Sequence, residues 1–305
     1  MEDLATGAPS SFTEPLARRV LAEAVDRADL PRGPVELIRI GSNAVFRIAG
    51  DLIARVASPS APLATAEKQI RVARWLAAER FPVTRAVDVE QPVEVDGCAV
   101  TFWGSVAPGT TYAPIGDVAA VIRRLHQLPT PDDLDLDLPE IEPFGPAGAD
   151  LPDFPGLAPD DACFLRERIE WARDAFPRLP FELPHGAIHG DANVGNVLVD
   201  TAGHPVLIDL DSFATGPREW DLIQTALFAT RLGWHSRSEY ADFVRVYGYD
   251  VTQWSGFECL ADMREIAMTS WLSKKATESQ ATAREAGRRI SDIRNGAPRT
   301  DWGAY

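Results

Sequence analysis

Asp191, Asn196 and Asp209 are the residues whose types and spacing suggest chemistry in this chain. Asp191 closes the run Ala187-Ile188-His189-Gly190-Asp191. Asn196 follows five positions later, and Asp209 ends the run Val206-Leu207-Ile208. One carboxylate can contact a hydroxyl while an amide oxygen and a second carboxylate hold a hard cation. Phosphoryl transfer requires those parts. Its transition state is loose, so the protein mainly positions groups and neutralises charge, and the base only orients the hydroxyl and accepts its proton late.

Two short strands must position this set. Val197-Leu198-Val199 and Val206-Leu207-Ile208 are apolar and rich in β-branched residues, as buried strands are. Between them Asp200 to Pro205 is a turn-forming cluster whose Gly203 tolerates positive φ. A four-residue loop from Thr201 to His204 would set Asp200 opposite Pro205 and Val199 opposite Val206, and so Asn196 opposite Asp209. Directly opposed residues have Cβ atoms about 5 Å apart, close enough to share one cation. Asp191 lies on a loop with Gly190 and Gly195, where the backbone can bend sharply.

His189-Gly190-Asp191, Asn196 and Ile208-Asp209 together resemble the signature of the aminoglycoside phosphotransferase family, the small-molecule branch of the protein-kinase-like fold. The resemblance implies that Asp191 is the catalytic base, that Asn196 and Asp209 hold Mg²⁺, and that His189 is structural. Gly216-Pro217-Arg218-Glu219-Trp220-Asp221 is similar to the family's segment after the metal aspartate, which implies that Asp221 braces the catalytic loop. A chance hairpin with acidic ends would not supply three elements in order at these spacings. Gly190 stands where protein kinases commonly carry an Arg that pairs with a phosphorylated loop, so control by loop phosphorylation is not expected. The span from Phe213 to Glu219 is also short for a peptide-docking segment.

The first hundred residues read as a strand-rich lobe. Phe12 to Ala28 has helical periodicity through Leu16, Val20, Leu21 and Val25, and β-type runs follow at Val35–Ile40, Ala44–Ile48 and Leu52–Ala57. Gly41-Ser42-Asn43 links the first pair of runs, where backbone N–H groups could face nucleotide phosphates. Gly50-Asp51 links the second pair. Arg55 occupies the place where a kinase-like fold usually has a phosphate-binding Lys. It keeps the charge but spreads it over a planar fork. The helix from about Ala64 to Arg80 offers Glu67 or Gln69 as its partner, and the sequence leaves both open. Ala99 to Trp103 reads as a strand entering a hinge, where Phe102 and Trp103 could flank a base, although strand aromatics are more often core. Val118, Val121, Ile122 and Leu125 mark an amphipathic helix with Asp117 as its N-cap and a structural His126 near its end.

Residues 129–159 are rich in Pro, Asp and Gly. Asp132, Asp133, Asp135, Asp137, Glu140 and Glu142 there could wall a substrate or simply be solvated. Asp161 to Phe176 and most of Trp220 to Arg294 read as helices. At 305 residues, 45% hydrophobic and 25% charged, the chain has a real core and room for two lobes. No apolar run approaches membrane-spanning length, and the acidic, polar start does not resemble a signal peptide. Three scattered cysteines argue against a disulfide framework and for a reducing cytoplasm. A net charge of −15 disfavours nucleic acid as a partner. It is compatible with a cationic substrate, although an acidic surface that serves solubility is the favoured account.

These observations set an expectation of an α+β, two-lobed protein-kinase-like fold, with a strand-rich N-lobe over residues 1–104 and a mostly helical C-lobe over 105–305. The expected reaction moves the γ-phosphoryl group of ATP, with GTP left open, to a hydroxyl of a small molecule such as an antibiotic, an amine or a sugar-like metabolite. Arg55 would grip the phosphates. Asp211 would share the face of Asp209 if the strand continues, adding a metal or substrate contact or bonding to the next loop. The rival readings are a non-catalytic pseudokinase, motivated by Arg55, and a nucleotidyl transferase. Oligomeric state is not legible.

Overall fold

The computed structural model describes residues 12–41, 43–129, 136 and 138–304. In chain order the elements begin with α1 (Glu14–Arg27), β1 (Val35–Ile40), β2 (Asn43–Ile48), β3 (Leu52–Ala57), α2 (Leu63–Ala78), β4 (Val93–Val95) and β5 (Cys98–Gly104). Next come α3 (Ile115–Leu125), α4 (Pro159–Ala175), β6 (His185–Ile188), β7 (Val197–Val199), β8 (Pro205–Leu207) and β9 (Ala214–Pro217). The chain finishes with α5 (Glu219–Leu227), α6 (Arg237–Tyr247), α7 (Phe257–Lys274) and α8 (Gln280–Asn295). Two compact units form, and they do not divide at a single point. The first holds the described residues up to Tyr112 and regains Val197–Asp211, while the second is built from the chain between and after. No helix among the described residues is long and apolar enough to cross a membrane.

The first unit is an antiparallel sheet in the order β1-β2-β3-β5-β4. Helix α1 repeats its apolar residues at helical spacing and lays Ala17, Val20, Leu21, Ala24 and Val25 on Phe46, Ile48, Val56 and Phe102. Ala49 and Gly50 turn β2 into β3 with φ of 50° and 89°, so the turn is centred one residue earlier than Gly50-Asp51. The β7–β8 hairpin joins this unit through Val199 N–H donating to Thr111 O and Leu207 N–H donating to Pro82 O, each at 2.8 Å.

The register of that hairpin corrects the sequence reading by one residue. Val199 pairs with Pro205 and Val197 with Leu207, and the ladder does not extend to Asn196 and Asp209. Asp200 is the physical cause. Its Oδ1 accepts the N–H groups of Ala202 and His204, both at 2.8 Å, and draws Asp200 into a five-residue loop. Beyond β8 the strand does not continue either. Asp209 has φ of 60° and Leu210–Ser212 form a 3₁₀ turn, so Asp211 does not share a strand face with Asp209.

The second unit packs helices around a small β6–β9 ribbon in which His185 pairs with Pro217 and Ile188 with Ala214. Helix α3 buries Val118, Val121, Ile122 and Leu125. Pro114, not Asp117, occupies its N-cap position, and Asp117 falls in the first turn. A proline placed just ahead of the helix sets the entry, and Asp117 then complements the helix dipole. Trp220 meets Phe144 and Phe176 edge-to-face, with ring centroids 6.5 and 5.5 Å away, and so roots the start of α5. Of the proposed acidic wall, Asp132, Asp133, Asp135 and Asp137 lie outside the described residues.

Candidate active site

The loop after β6 is held by α5. Asp221, fully buried, accepts His189 N–H at 2.7 Å on Oδ2 and Gly190 N–H at 2.8 Å on Oδ1. His126 Nε2 lies 3.0 Å from the same Oδ2 and its Nδ1 meets Tyr247 Oη at 2.8 Å. Burial by itself would raise the Asp221 carboxyl. The hydrogen bond and charge of His126, aided by His189, overcome it and hold the group below the usual carboxylate range. Gly190 has φ of 82°, and a Cβ there would stand 2.2 Å from Ser212 O. Only glycine fits, so the residue type at this position is fixed by packing before any question of regulation arises.

Because the folded Asp221 titrates below its unfolded value, its stabilisation is complete above about pH 4. It is lost as the pH falls through the lower folded value. Asp221→Asn should cost about 3–5 kcal/mol at neutral pH, the range for breaking a buried charged pair. It should also flatten the decline of Tm on acidification. Calorimetry across that pH range checks both, and an unchanged acid limb would contradict the assignment.

The same loop carries Asp191 and Asn196. Asn196 Nδ2 donates to Asp191 O at 2.8 Å and to Asp191 Oδ2 at 3.1 Å, which turns its carbonyl oxygen away from the loop. Asn193 Nδ2 adds a bond to Asp191 O at 3.0 Å. Arg264 Nη2, from α7, lies 2.5 Å from Asp191 Oδ1. The Asp191 side chain remains 43% exposed, open to an acceptor from solvent.

In the first unit, Arg55 on β3 is the hub. Its side chain is 14% exposed, with Nη2 3.3 Å from Asp209 Oδ1 and 2.9 Å from Asp211. Gln69 on α2 is buried and accepts from Arg55 Nη1 at 3.3 Å. Glu67 makes no ion pair with Arg55 among the described residues. Residues two apart on a helix do not share a face, so the turn that buries Gln69 does not bring Glu67 to the same side. Asn43 Nδ2 reaches Asp211 Oδ2 at 3.4 Å, and Lys68 Nζ donates to Asp211 O at 2.8 Å. Burial raises the Asp211 carboxyl. Arg55 opposes that shift and the Asp209 carboxylate reinforces it.

Two of the expected nucleotide contacts change meaning. Gly41 N–H bonds to Asn43 O at 3.0 Å, so the tight turn spends that donor on itself rather than presenting it to an anion. Ser42 lies outside the described residues. Trp103 is 4% exposed with its ring N–H on Thr101 Oγ1 at 2.8 Å, which makes it a core aromatic rather than a ring open to a base. Lys68 and Arg264 were not singled out in the sequence. A signal existed for Lys68, one of only three lysines among 30 basic residues. None existed for Arg264, which sits in an ordinary helical pattern.

The oxygen donors present fit a magnesium ion. Asp209 and Asp211 are hard oxygen ligands that share Arg55, with the exposed Arg39 Nη2 a further 3.7 Å from Asp209 Oδ2. Among the described residues no group of three or more His, Cys, Asp and Glu could hold a metal. Magnesium bound by one or two protein ligands together with substrate phosphates does not need such a cage.

Solved structures share this fold. Amicoumacin kinase hAmiN, in complex with AMP-PNP, Ca²⁺ and Ami, aligns with a TM-score of 0.71 at 16% identity over 96% of both chains. The GDP and kanamycin complex of APH(2")-IIia gives 0.62 at 14% identity, covering 90% of this chain and 98% of that one. A choline/ethanolamine kinase family protein from Mesorhizobium loti gives 0.57 at 18% identity, over 90% and 94%. No curated protein matches the chain by sequence. A model of the phosphotransferase enzyme family matches residues 35–261, well over half of the chain. The expected two-lobed α+β kinase-like architecture therefore stands, and the chain belongs to the phosphotransferase enzyme family, small-molecule kinases with a hydroxyl acceptor.

Proposed function

We propose that this kinase uses Asp191 as its base, Asn196 and Asp209 as ligands to Mg²⁺, and Arg55, braced by Gln69, as its grip on the nucleotide phosphates. The observation that carries the reading is the Asp191–Asn196 pair. One amide N–H fixes the carboxylate, the other end of the same amide is left for a cation, and the carboxylate stays open to solvent. Bound magnesium would neutralise charge on the β- and γ-phosphates. The acceptor hydroxyl oxygen bonds to the γ-phosphorus, and the bond from that phosphorus to the β-bridging oxygen breaks. Its electron pair leaves with ADP, and the hydroxyl proton passes late to the Asp191 carboxylate.

The acceptor is a small hydroxyl compound, with an antibiotic bearing an amino group as the first candidate. Two similar structures are described with Ami and with kanamycin bound, and the net charge of −15 is compatible with a cationic acceptor without selecting one. A choline-like amino alcohol is the second candidate, on the likeness to the choline/ethanolamine kinase family protein. ATP is the expected donor, with GTP as the alternative. Three free cysteines support a reducing, cytoplasmic setting.

The test is a panel of such acceptors incubated with enzyme, MgCl₂ and ATP or GTP, with products weighed by mass spectrometry. A product heavier by one phosphoryl group, formed only with the divalent ion, is expected. Addition of a nucleoside monophosphate would show a nucleotidyl transferase. Nucleotide binding without turnover on any acceptor would favour the pseudokinase.

A further inference from the structure

Arg264 is placed at a cost that stability does not explain. It is 8% exposed, and its Nε is buried without a hydrogen-bond acceptor. An unsatisfied buried donor is destabilising. Its ion-pair partner, Asp191, is 43% exposed, and a pair with one buried member is weak evidence of a net gain in stability, even though removing one partner alone is destabilising. A well-packed apolar side chain would serve the core as well or better.

What Arg264 does accomplish is geometric. Its Nη2 bonds to Asp191 Oδ1 and also to Gln224 Oε1, and its guanidinium lies 5.1 Å from the Trp220 ring centroid. Trp220 and Gln224 are one turn apart on α5, so both project from the same side of that helix. Trp220 is itself fixed, because its ring N–H donates to Gly190 O at 2.9 Å. The guanidinium is thus held on two sides by the helix that braces the loop, and it reaches Asp191 from outside that loop. Asn196 ties Oδ2 and Arg264 ties Oδ1, which sets the plane of the carboxylate. Each oxygen has two lone pairs, so one remains on each for an incoming hydroxyl.

We propose that Arg264 is a positioning residue for phosphoryl transfer, fixing the Asp191 carboxylate from α7 in the plane from which it meets the acceptor hydroxyl. The inference rests on Asp191 acting as the base. It predicts that loss of the guanidinium slows turnover while leaving nucleotide binding intact, since the arginine acts only through Asp191. A misplacement of about 1 Å in a reacting group costs on the order of 100-fold in rate.

The experiment is a double-mutant cycle with Asp191→Asn, Arg264→Gln and the combined variant, read as kcat and ATP KM on an acceptor found in the panel. Arg264→Gln should lower kcat by about 100-fold with ATP KM changed less than about threefold, and should add no further loss in the Asp191→Asn background. Arg264→Lys should keep part of the activity, and guanidinium ion should restore part of the turnover of Arg264→Ala. Parent-like kcat in Arg264→Gln overturns the proposal while leaving Asp191 in its role. So does an equal loss in both backgrounds, the mark of a merely structural arginine. Failure of all rescue in a variant that still binds ATP normally also overturns it. Parent-like kcat in Asp191→Asn would instead overturn the base assignment itself.

Discussion

Asp191→Ala should reduce turnover by about 10³-fold, within the range that a positioned general base contributes. The nucleotide dissociation constant should change by less than about twofold, because Arg55, Gln69 and Asp209 belong to a separate group in the first unit. The pattern distinguishes a base from a structural carboxylate, whose loss would weaken both. A secondary effect follows from burial. Removing Asp191 leaves Arg264 without its anionic partner at 8% exposure, so the variant should melt at a lower temperature than the parent. Steady-state kinetics beside nucleotide titration checks the first effect and calorimetry the second. Full activity in Asp191→Ala would exclude the mechanism.

Asp209→Asn should be the other severe variant, with turnover lowered on the order of 10³-fold at fixed magnesium. Excess magnesium should restore part of it. Its effect on folding should run the opposite way. Asp209 and Asp211 share Arg55, and their mutual repulsion already raises the Asp211 carboxyl beyond what burial does. Replacing one carboxylate with an amide relieves that repulsion, so the metal-free variant should be at least as heat-stable as the parent. A gain in stability with a loss of activity is the mark of a charge pair kept for function. A variant that lost both would place Asp209 in the structural frame.

Much of this arrangement could be read from residue types, and the failures have specific causes. The strands β1 to β3 and the helix α1 follow from apolar periodicity, which depends on near neighbours, whereas the bracing role of Asp221 on α5 is implied only by the family resemblance. The hairpin register failed because Asp200 prefers to cap its own turn, a side-chain choice that strand propensity does not encode. The strand run over Val206–Ile208 suggests that extended backbone carries on through Asp209, yet Asp209 adopts φ of 60°, a left-handed conformation that aspartate tolerates better than most residues. That bend, rather than cross-strand opposition, lets Asp209 and Asp211 meet one arginine. Charge pairing points to Glu67 and the family likeness to Gln69, and only the packing of α2 decides between them. Arg264 was invisible for a plainer reason. Its contact with Asp191 spans 73 positions and is decided by the packing of α7 on α5, which no local pattern announces.

The central claim is that Asn196 and Asp209 share one divalent ion beside the nucleotide. Anomalous diffraction from crystals grown with Mn²⁺ and a non-hydrolysable ATP analogue tests it most directly. The account predicts a metal peak about 2.0–2.2 Å from both the Asn196 carbonyl oxygen and an Asp209 carboxylate oxygen, with analogue phosphate oxygens completing the shell. A peak bound by only one of the two residues, or lying away from both, would contradict it.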